Sequence, residues 1–544
     1  MPALVHSQTD QGIISGNIEL FSQYYLEDDQ INATVPEWTL SSNSFSYINY
    51  QKGAFGAGVR FEGYLNPLLS YPVNFQGTGL GYRYVTWQRE DLDVTLGNFY
   101  EQFGSGLVLR SYEERLIGID NALDGLRLRY RPTPGMTLTG FVAEQRFAFD
   151  DRTINGNGLL RGFDAQMNMN ELLKPLAESK TLIDVAGSVV SKYNNDNNTP
   201  NFNLPKNVAA FSGRLDVQHE GWRFNGEYTW KSPDPYPIIS APEESFEYLY
   251  KNGEALLLNL GYSTKGLAID FTARHVDNML WRSTNAAAGP TDLLIGFIPS
   301  PTKQHTYNLA TTLYPYQTNF FGEVSYRGDV IYKIPKKTQL GGKYGMTINA
   351  SYTEVYSPER TFINDAETDR EGYRTSILAA SDSAFVKDLN IELKKKWSKE
   401  LTTSLAYLNF YFDDRVNQIA VIHEVIEADI LALEILWKLK KKKALRFEFQ
   451  HLWTEDDQQD WAYASVEYTI APHWSFTLLD QYNYGNEKAS DRFHYALGNV
   501  AYVKGPHRFS LQYGRQRAGF FCVGGICRPV PASNGFSLAV SSSF

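Results

Sequence analysis

The side chains of this 544-residue chain that could carry out a reaction are few, and their spacing is wrong for it. His423-Glu424-Val425-Ile426-Glu427 begins like the two-histidine helix motif of a zinc protease, but position 427 is Glu where the second ligand would be needed. The nine histidines are scattered without ligand spacing, so no metal and no cofactor is expected. Gly77-Thr78-Gly79-Leu80-Gly81 and Gly341-Gly342-Lys343 are glycine turns without the strand-to-helix setting that phosphate binding requires. Scattered Ser, His and Asp residues do not make a nucleophilic triad, which is defined by geometry. An enzyme is not expected.

Charge is concentrated elsewhere. From Gly97 the chain runs through Glu101, Gly104, Gly106, Arg110, Glu113, Glu114, Arg115, Asp120 and Asn121, and then places Arg127, Arg129 and Arg131 against Leu126, Leu128 and Tyr130. Three arginines on one side of one segment repel each other unless water or acids screen them. They either pair with acids and help fill a wall, or they select a solute. The elements that position them decide which.

Those elements are strands. Trp222, Phe224, Gly226, Tyr228 and Trp230 form one face, and Arg223, Asn225, Glu227, Thr229 and Lys231 the other. The same period of two recurs at 163–170, 211–218, 388–394 and 445–450. Mean hydropathy is −0.36 and no apolar run approaches the roughly 20 residues of a spanning helix, yet the chain carries 35 Tyr, 32 Phe and 10 Trp. A high aromatic content at modest hydropathy is the composition of strands that alternate between lipid and water and end in aromatic girdles.

Connections alternate in length as well. Short ones fall at 52–54, 132–135, 219–221, 265–266, 398–400 and 504–506, with longer polar segments at 194–206, 232–245, 279–301 and 358–383. The expected fold is therefore all-β: a single antiparallel transmembrane β-barrel of about 24 strands, within roughly 22 to 26, with short periplasmic turns and long extracellular loops. The barrel is expected over residues 9–544. Val5-His6-Ser7 resembles the end of an export signal, so residues 1–8 are read as its remainder. The segment 422–439, rich in Ile, Leu, Ala and Glu, could form an amphipathic helix, but Leu431, Leu433, Ile435 and Trp437 alternate and it is read as a strand.

A barrel of this size encloses more space than its wall side chains fill. Two segments are candidates to enter it. The first, 97–122, has glycines that permit a sharp inward bend and charges suited to a wet interior, although an ordinary extended extracellular loop fits it equally. The second, 278–318, contains Pro299, Pro301, His305, Tyr307, Tyr314 and Tyr316 and alternates too weakly for a central strand.

The segment Gly97–Tyr130 and the stretch Thr302-Lys303-Gln304-His305-Thr306-Tyr307 resemble those of large, porin-like Bacteroidota outer-membrane barrels, a family of unknown function. The resemblance spans most of the chain as a pattern. It implies the barrel fold and the outer membrane of a Gram-negative bacterium, and brings no substrate and no catalytic residue.

A net charge of −10 with no dominant basic face excludes nucleic acid as a partner. Expected partners are outer-membrane lipid, the barrel assembly machinery and other envelope proteins. Cys522 and Cys527 bracket Val-Gly-Gly-Ile and could close a small disulfide loop in an oxidising compartment, or remain two thiols. The functional expectation is a channel or transporter for an unidentified solute, with a non-conducting structural subunit of an envelope complex as the alternative.

The last ten residues, with Phe536, Leu538, Val540 and Phe544 on one face, resemble the terminal-strand signal of bacterial outer-membrane proteins, which implies recognition by the assembly machinery. Deleting Phe544, or replacing it by Asp, is expected to lower the amount of folded protein in the outer-membrane fraction several-fold on quantitative immunoblots. Unchanged levels would remove the terminal-signal reading.

Overall fold

Isolated alternating strands leave both edges unpaired, and in lipid every unpaired backbone group is costly, so pairing proceeds until the sheet closes on itself. In the computed structural model, which describes residues 12–69, 71–115, 117–194, 204–238, 247–284, 292–363, 372–413, 425–523 and 526–544, this closure is complete. One sheet of 23 strands forms a barrel, sealed where the first strand, Ile13–Leu26, pairs antiparallel with the last, Ser533–Ser543. Phe544 adds a reciprocal pair of backbone bonds to Gly16, of 3.0 and 3.1 Å. The longest strand, Met136–Asn168, crosses the wall twice. Its beginning pairs with Leu123–Thr133 and its end with Thr181–Tyr193, while Gly162 lies against the ring of Phe141. The wall therefore makes 24 passes.

Burial is inverted relative to a water-soluble sheet. Trp222, Tyr228 and Trp230 are exposed, whereas Glu227, Thr229 and Lys231 beside them are buried. Leu126, Leu128, Tyr130 and Phe163 are exposed, and Asp164 is buried. A continuous apolar outer face around a charged interior is the arrangement of a barrel whose solvent is hydrocarbon on the outside.

The expected short turns all lie at one end of the barrel. At the other end one expectation shifts: the described residues of 358–383 are mostly strand, because Met346–Phe362 and Tyr373–Lys396 overrun the rim and pair with each other there. Their register slips around Pro358, which has no N–H to give to a regular ladder. The arm rests against its neighbours through Tyr326, whose hydroxyl donates to the Leu378 carbonyl at 2.6 Å.

The ambiguous 422–439 region is the strand Val425–Lys440, paired on both edges; residues 422–424, and with them His423 and Glu424, lie outside the described residues. Its helix-like composition has a physical cause. Ile426, Ala428, Ile430 and Ala432 face an apolar core inside the barrel, while Leu431 and Trp437 face outward, so both faces are apolar.

Near residue 75 the wall is interrupted. Phe75–Gln88 pairs with the short strand Leu92–Phe99 only at Tyr84–Gln88; higher up, Phe75, Gln76 and Leu80 pair in parallel with Phe149, Asp150 and Arg152 of the doubled strand. Gly79 makes this possible, because a Cβ there would stand 1.9 Å from the Asp151 carbonyl oxygen. Below that bridge the chain between Phe99 and Leu123 leaves the wall. Residues 1–8 lie outside the described residues.

Candidate functional site

Residues 100–122 form two miniature hairpins, Gln102–Phe103 with Leu109–Arg110 and Glu113–Glu114 with Ile119–Asp120. Gly104 and Gly106 take positive φ at the first tip, a conformation that side chains resist. That tip reaches the strand Trp222–Lys231, where the Ser105 N–H donates to Glu227 at 2.8 Å. Phe103, Val108 and Leu109 are buried with Phe99, Phe141, Val190, Ala210 and Trp281. The segment thus lies within the barrel against its inner wall.

Its second hairpin is held by ions. Arg60 and Arg146, both fully buried wall residues, share Glu62 and Asp120: Arg60 Nε lies 2.5 Å from Glu62, and Arg146 lies 2.6 Å from each acid. Arg60 also pairs with Asp120 and, at 2.9 Å, with Glu113. Arg115 bridges Glu113 at 2.9 Å to Glu19 of the first strand at 2.5 Å. Tyr100 donates to Asp120 at 2.9 Å. Burial alone would raise the Asp120 pKa, but Arg146 and Arg60 outweigh it and hold the carboxyl down at about 2.

The arginine ladder is also paired. Glu101 takes Arg127 at 3.2 Å and Arg129 at 2.9 Å, and Arg131 reaches Asp93 at 2.7 Å. Asn121 accepts from the Tyr112 N–H at 2.6 Å and donates to the Leu294 carbonyl at 3.2 Å. Glu114 is half-buried on the second hairpin. Arg110 has its guanidinium carbon 4.0 Å from the centre of the Phe297 ring.

Leu294 and Phe297 belong to the second segment, which meets the first along a backbone seam. Arg110 N–H donates to the Ile295 carbonyl at 2.8 Å, Phe297 N–H to Gly106 at 2.9 Å, and the Trp281 indole to Val108 at 3.1 Å. Further on, the short helix Asn308–Leu313 is anchored by its Leu309 N–H on Gln450 at 2.9 Å. Leu309, Ala310, Tyr307, Tyr314 and Tyr316 share a core with the inward residues Ala406, Leu408, Phe410, Phe412, Ile430 and Trp461. His305 meets Asp388 at 2.7 Å, and Lys303 donates to Asn390. Arg274 pairs with Glu323 and also donates to the Pro299 carbonyl.

At the end of the barrel with short turns, a cavity of about 840 Å³ remains, bordered by Glu90, Asp91, Gln102, Gly104, Arg131, Arg214 and Asp216. Near the other rim Glu254, His275 and Asp277 bring ligand atoms within 4.8 Å of one another, but Asp277 is already held by Lys251 at 2.9 Å, Tyr373 at 2.9 Å and Thr375 at 2.7 Å. Phe536, Leu538 and Phe544 are exposed on the outer face and Val540 is half-buried. Cys522 and Cys527 stand opposite each other in the register of the hairpin Gly519–Val523 with Ile526–Val530, and their side chains lie outside the described residues.

Sequence reasoning did not single out Arg60, Glu62, Arg146, Glu19 or Gln450. A signal existed for the first two: Arg60 and Glu62 are ionised residues on the inward face of Phe55–Leu65, whose Phe61 faces outward. An inward charge in a wide barrel needs a partner, but which partner is not a local property.

The chain belongs to a family of unknown function, DUF6029, whose model matches residues 3–544. No curated protein matches it. Solved barrels of similar structure include the siderophore receptor PirA from Pseudomonas aeruginosa, at 10% identity and a TM-score of 0.40 over 98% of this chain and 80% of that one. OccD3 (OpdP) of the same organism aligns at 10% identity and 0.35, over 99% and 92%. The translocation pore of the P pilus usher PapC aligns at 8% identity and 0.40, over 97% and 99%.

The ion cluster can be tested by pH. Because Asp120 is depressed, its contribution is complete above the ordinary aspartate range near 4 and is lost as pH falls through about 2. The difference in fluorescence between the detergent-solubilised protein and its Trp281→Phe variant, which isolates buried Trp281 beside the seam from the other nine tryptophans, should hold steady down to about pH 4 and change near pH 2. Asp120→Asn should bring the change to neutral pH or lower the denaturation midpoint, at a cost of about 3–5 kcal/mol for leaving Arg60 and Arg146 short of an anion. Wild-type stability in that variant would show that the cluster does not hold the segment.

Proposed function

We propose that this protein is a porin-like channel or transporter of a Gram-negative outer membrane, in which 97–122 and 278–318 narrow the lumen and select the solute. The observation that carries the reading is the inverted burial, with apolar side chains on the outer face and ionised ones within. The 840 Å³ cavity lined by Arg131, Arg214, Glu90, Asp91 and Asp216 gives water and ions a place on the short-turn side of the infolded segments. In this reading the paired arginines shape the passage as a fixed salt lattice, and selectivity comes from the geometry of the segments that the lattice holds. Catalysis has no part in it.

A second reading is a non-conducting subunit that binds other envelope proteins. The apolar core joining Leu309 and Tyr314 to Phe410, Ile430 and Trp461 favours it, because that part of the lumen is packed like a protein interior.

Single-channel recording in a planar bilayer separates the two. We expect a steady conductance with defined reversal potentials, rising several-fold when 100–122 is replaced by a short Gly-Ser linker. Silence from the folded protein and from the linker variant would discard the channel and favour the subunit.

We also propose that Cys522 and Cys527 form a disulfide across the tip of the last long loop. Thiol labelling of the native protein without reductant should find neither cysteine reactive, and labelling of both would discard the pair.

A further inference from the structure

Resting on the channel reading, we infer that the lumen contains a binding site for a small organic anion with a planar apolar body, of which an aromatic carboxylate is the simplest example. The site is a cavity of about 310 Å³ enclosed by both infolded segments and the wall strands Tyr373–Lys396 and Leu401–Asp413. That volume falls at the small end of ligand pockets, which run from about 300 to 1,000 Å³. The lining sets aromatic surfaces against a convergent group of polar and charged side chains.

The apolar part is aromatic: Phe297 and Tyr316 from the second segment, Phe410 and Phe412 from the wall. The charged part is Arg110, Lys303, His305 and Asp388. Asp388, the one acid of the lining, is matched by His305 at 2.7 Å, and Lys303 donates to the neutral Asn390. Within the lining positive charge is therefore left over, at Arg110 above all, since Glu392 and Asp329 stand near Lys303 from outside it.

Arg110 is the decisive residue. Arg115, Arg127, Arg129 and Arg131 each meet a carboxylate, whereas Arg110 makes no ion pair among the described residues. Its guanidinium sits 4.0 Å from the centre of Phe297 and 4.7 Å from that of Tyr112. The contact with the two rings holds the guanidinium in place without using its N–H groups, which are left to donate. A pre-oriented guanidinium edge matches a carboxylate in a two-pronged geometry, and the aromatic walls accept the flat body to which that carboxylate is attached. An ammonium-bearing ligand would face Arg110 and Lys303 with the wrong sign. A short aliphatic anion would leave the aromatic surface unfilled.

The site exists only where the two segments meet. Arg110 comes from the first and is fixed by its own N–H to Ile295 of the second at 2.8 Å, and Gly296 lets the backbones approach because a Cβ there would lie 2.4 Å from the Leu107 carbonyl oxygen.

The test is isothermal titration of the full-length protein in detergent with benzoate, benzylamine and acetate. Saturable benzoate binding is expected, at least tenfold tighter than for either comparator. Arg110→Gln and, separately, Lys303→Gln should each weaken it at least fivefold with the thermal midpoint unchanged, and Arg110→Lys should fall between. Absence of saturable benzoate binding, equal affinity for benzylamine, or full affinity in both Gln variants would overturn the site. The two readings fail separately: a barrel that binds benzoate through Arg110 but is silent both intact and as the linker variant keeps the site and discards the channel, and a conducting barrel indifferent to benzoate does the reverse.

Discussion

A wall of 24 passes encloses a lumen far wider than its own inward side chains can span, since about eight strands is the size at which they fill it. The space must hold water, a foreign plug or the chain itself. Here the chain turns inward twice, and most of what is particular to this molecule follows from the requirement that those two segments be anchored to a barrel they could otherwise leave. Anchoring an irregular backbone needs partners for its N–H and C=O groups; the segments supply many of them within themselves, and the bonds from Arg110 to Ile295 and from Phe297 to Gly106 tie the two together.

The two segments solve the problem with opposite chemistry. The first has an apolar first hairpin, with Phe103, Val108 and Leu109 buried, but its second hairpin is pinned by ions: Arg60 and Arg146 in the wall clasp Glu62 and Asp120, and Arg115 reaches across to Glu19. Such a cluster is worth less in net stability than its charges suggest, because desolvation offsets much of the attraction, but a misplaced member leaves a bare charge behind. It therefore specifies position more than it adds stability. The second segment is pinned mostly by burial of Leu309, Tyr314 and Tyr316 against Leu408, Phe410 and Ile430, a packing term with little directional demand. The seam between them joins the ion-held half of the lumen to the apolar half, and the aromatic, cationic cavity lies on that boundary.

This division explains which parts of the molecule can be read locally. Trp222–Lys231 alternates cleanly because its outer side meets hydrocarbon and its inner side meets charge. Val425–Lys440 does not, because its inner side joins the apolar core that includes Leu309 and Ala310, so two apolar faces imitate a buried helix. Arg127, Arg129 and Arg131 stand out as a ladder, whereas Arg60 and Arg146 look ordinary although they are more deeply buried and more heavily paired. Their partner Asp120 lies 60 residues from one and 26 from the other, across two different strands.

Period-two alternation, turn spacing and the absence of long apolar runs were sufficient to determine the barrel, its antiparallel order and a strand number near 24, because these depend on neighbours two residues apart and on a solvent that is the same for every strand. The tertiary structure alone decided which acids meet which arginines, that the two inward segments touch through Arg110, Ile295, Gly106 and Phe297, and that the doubled strand bridges over the short ones beside Phe75. Those outcomes depend on closure. Only when Ile13–Leu26 meets Ser533–Ser543 does the lumen have a fixed width, and only a fixed width determines how far each segment must reach and what it finds there.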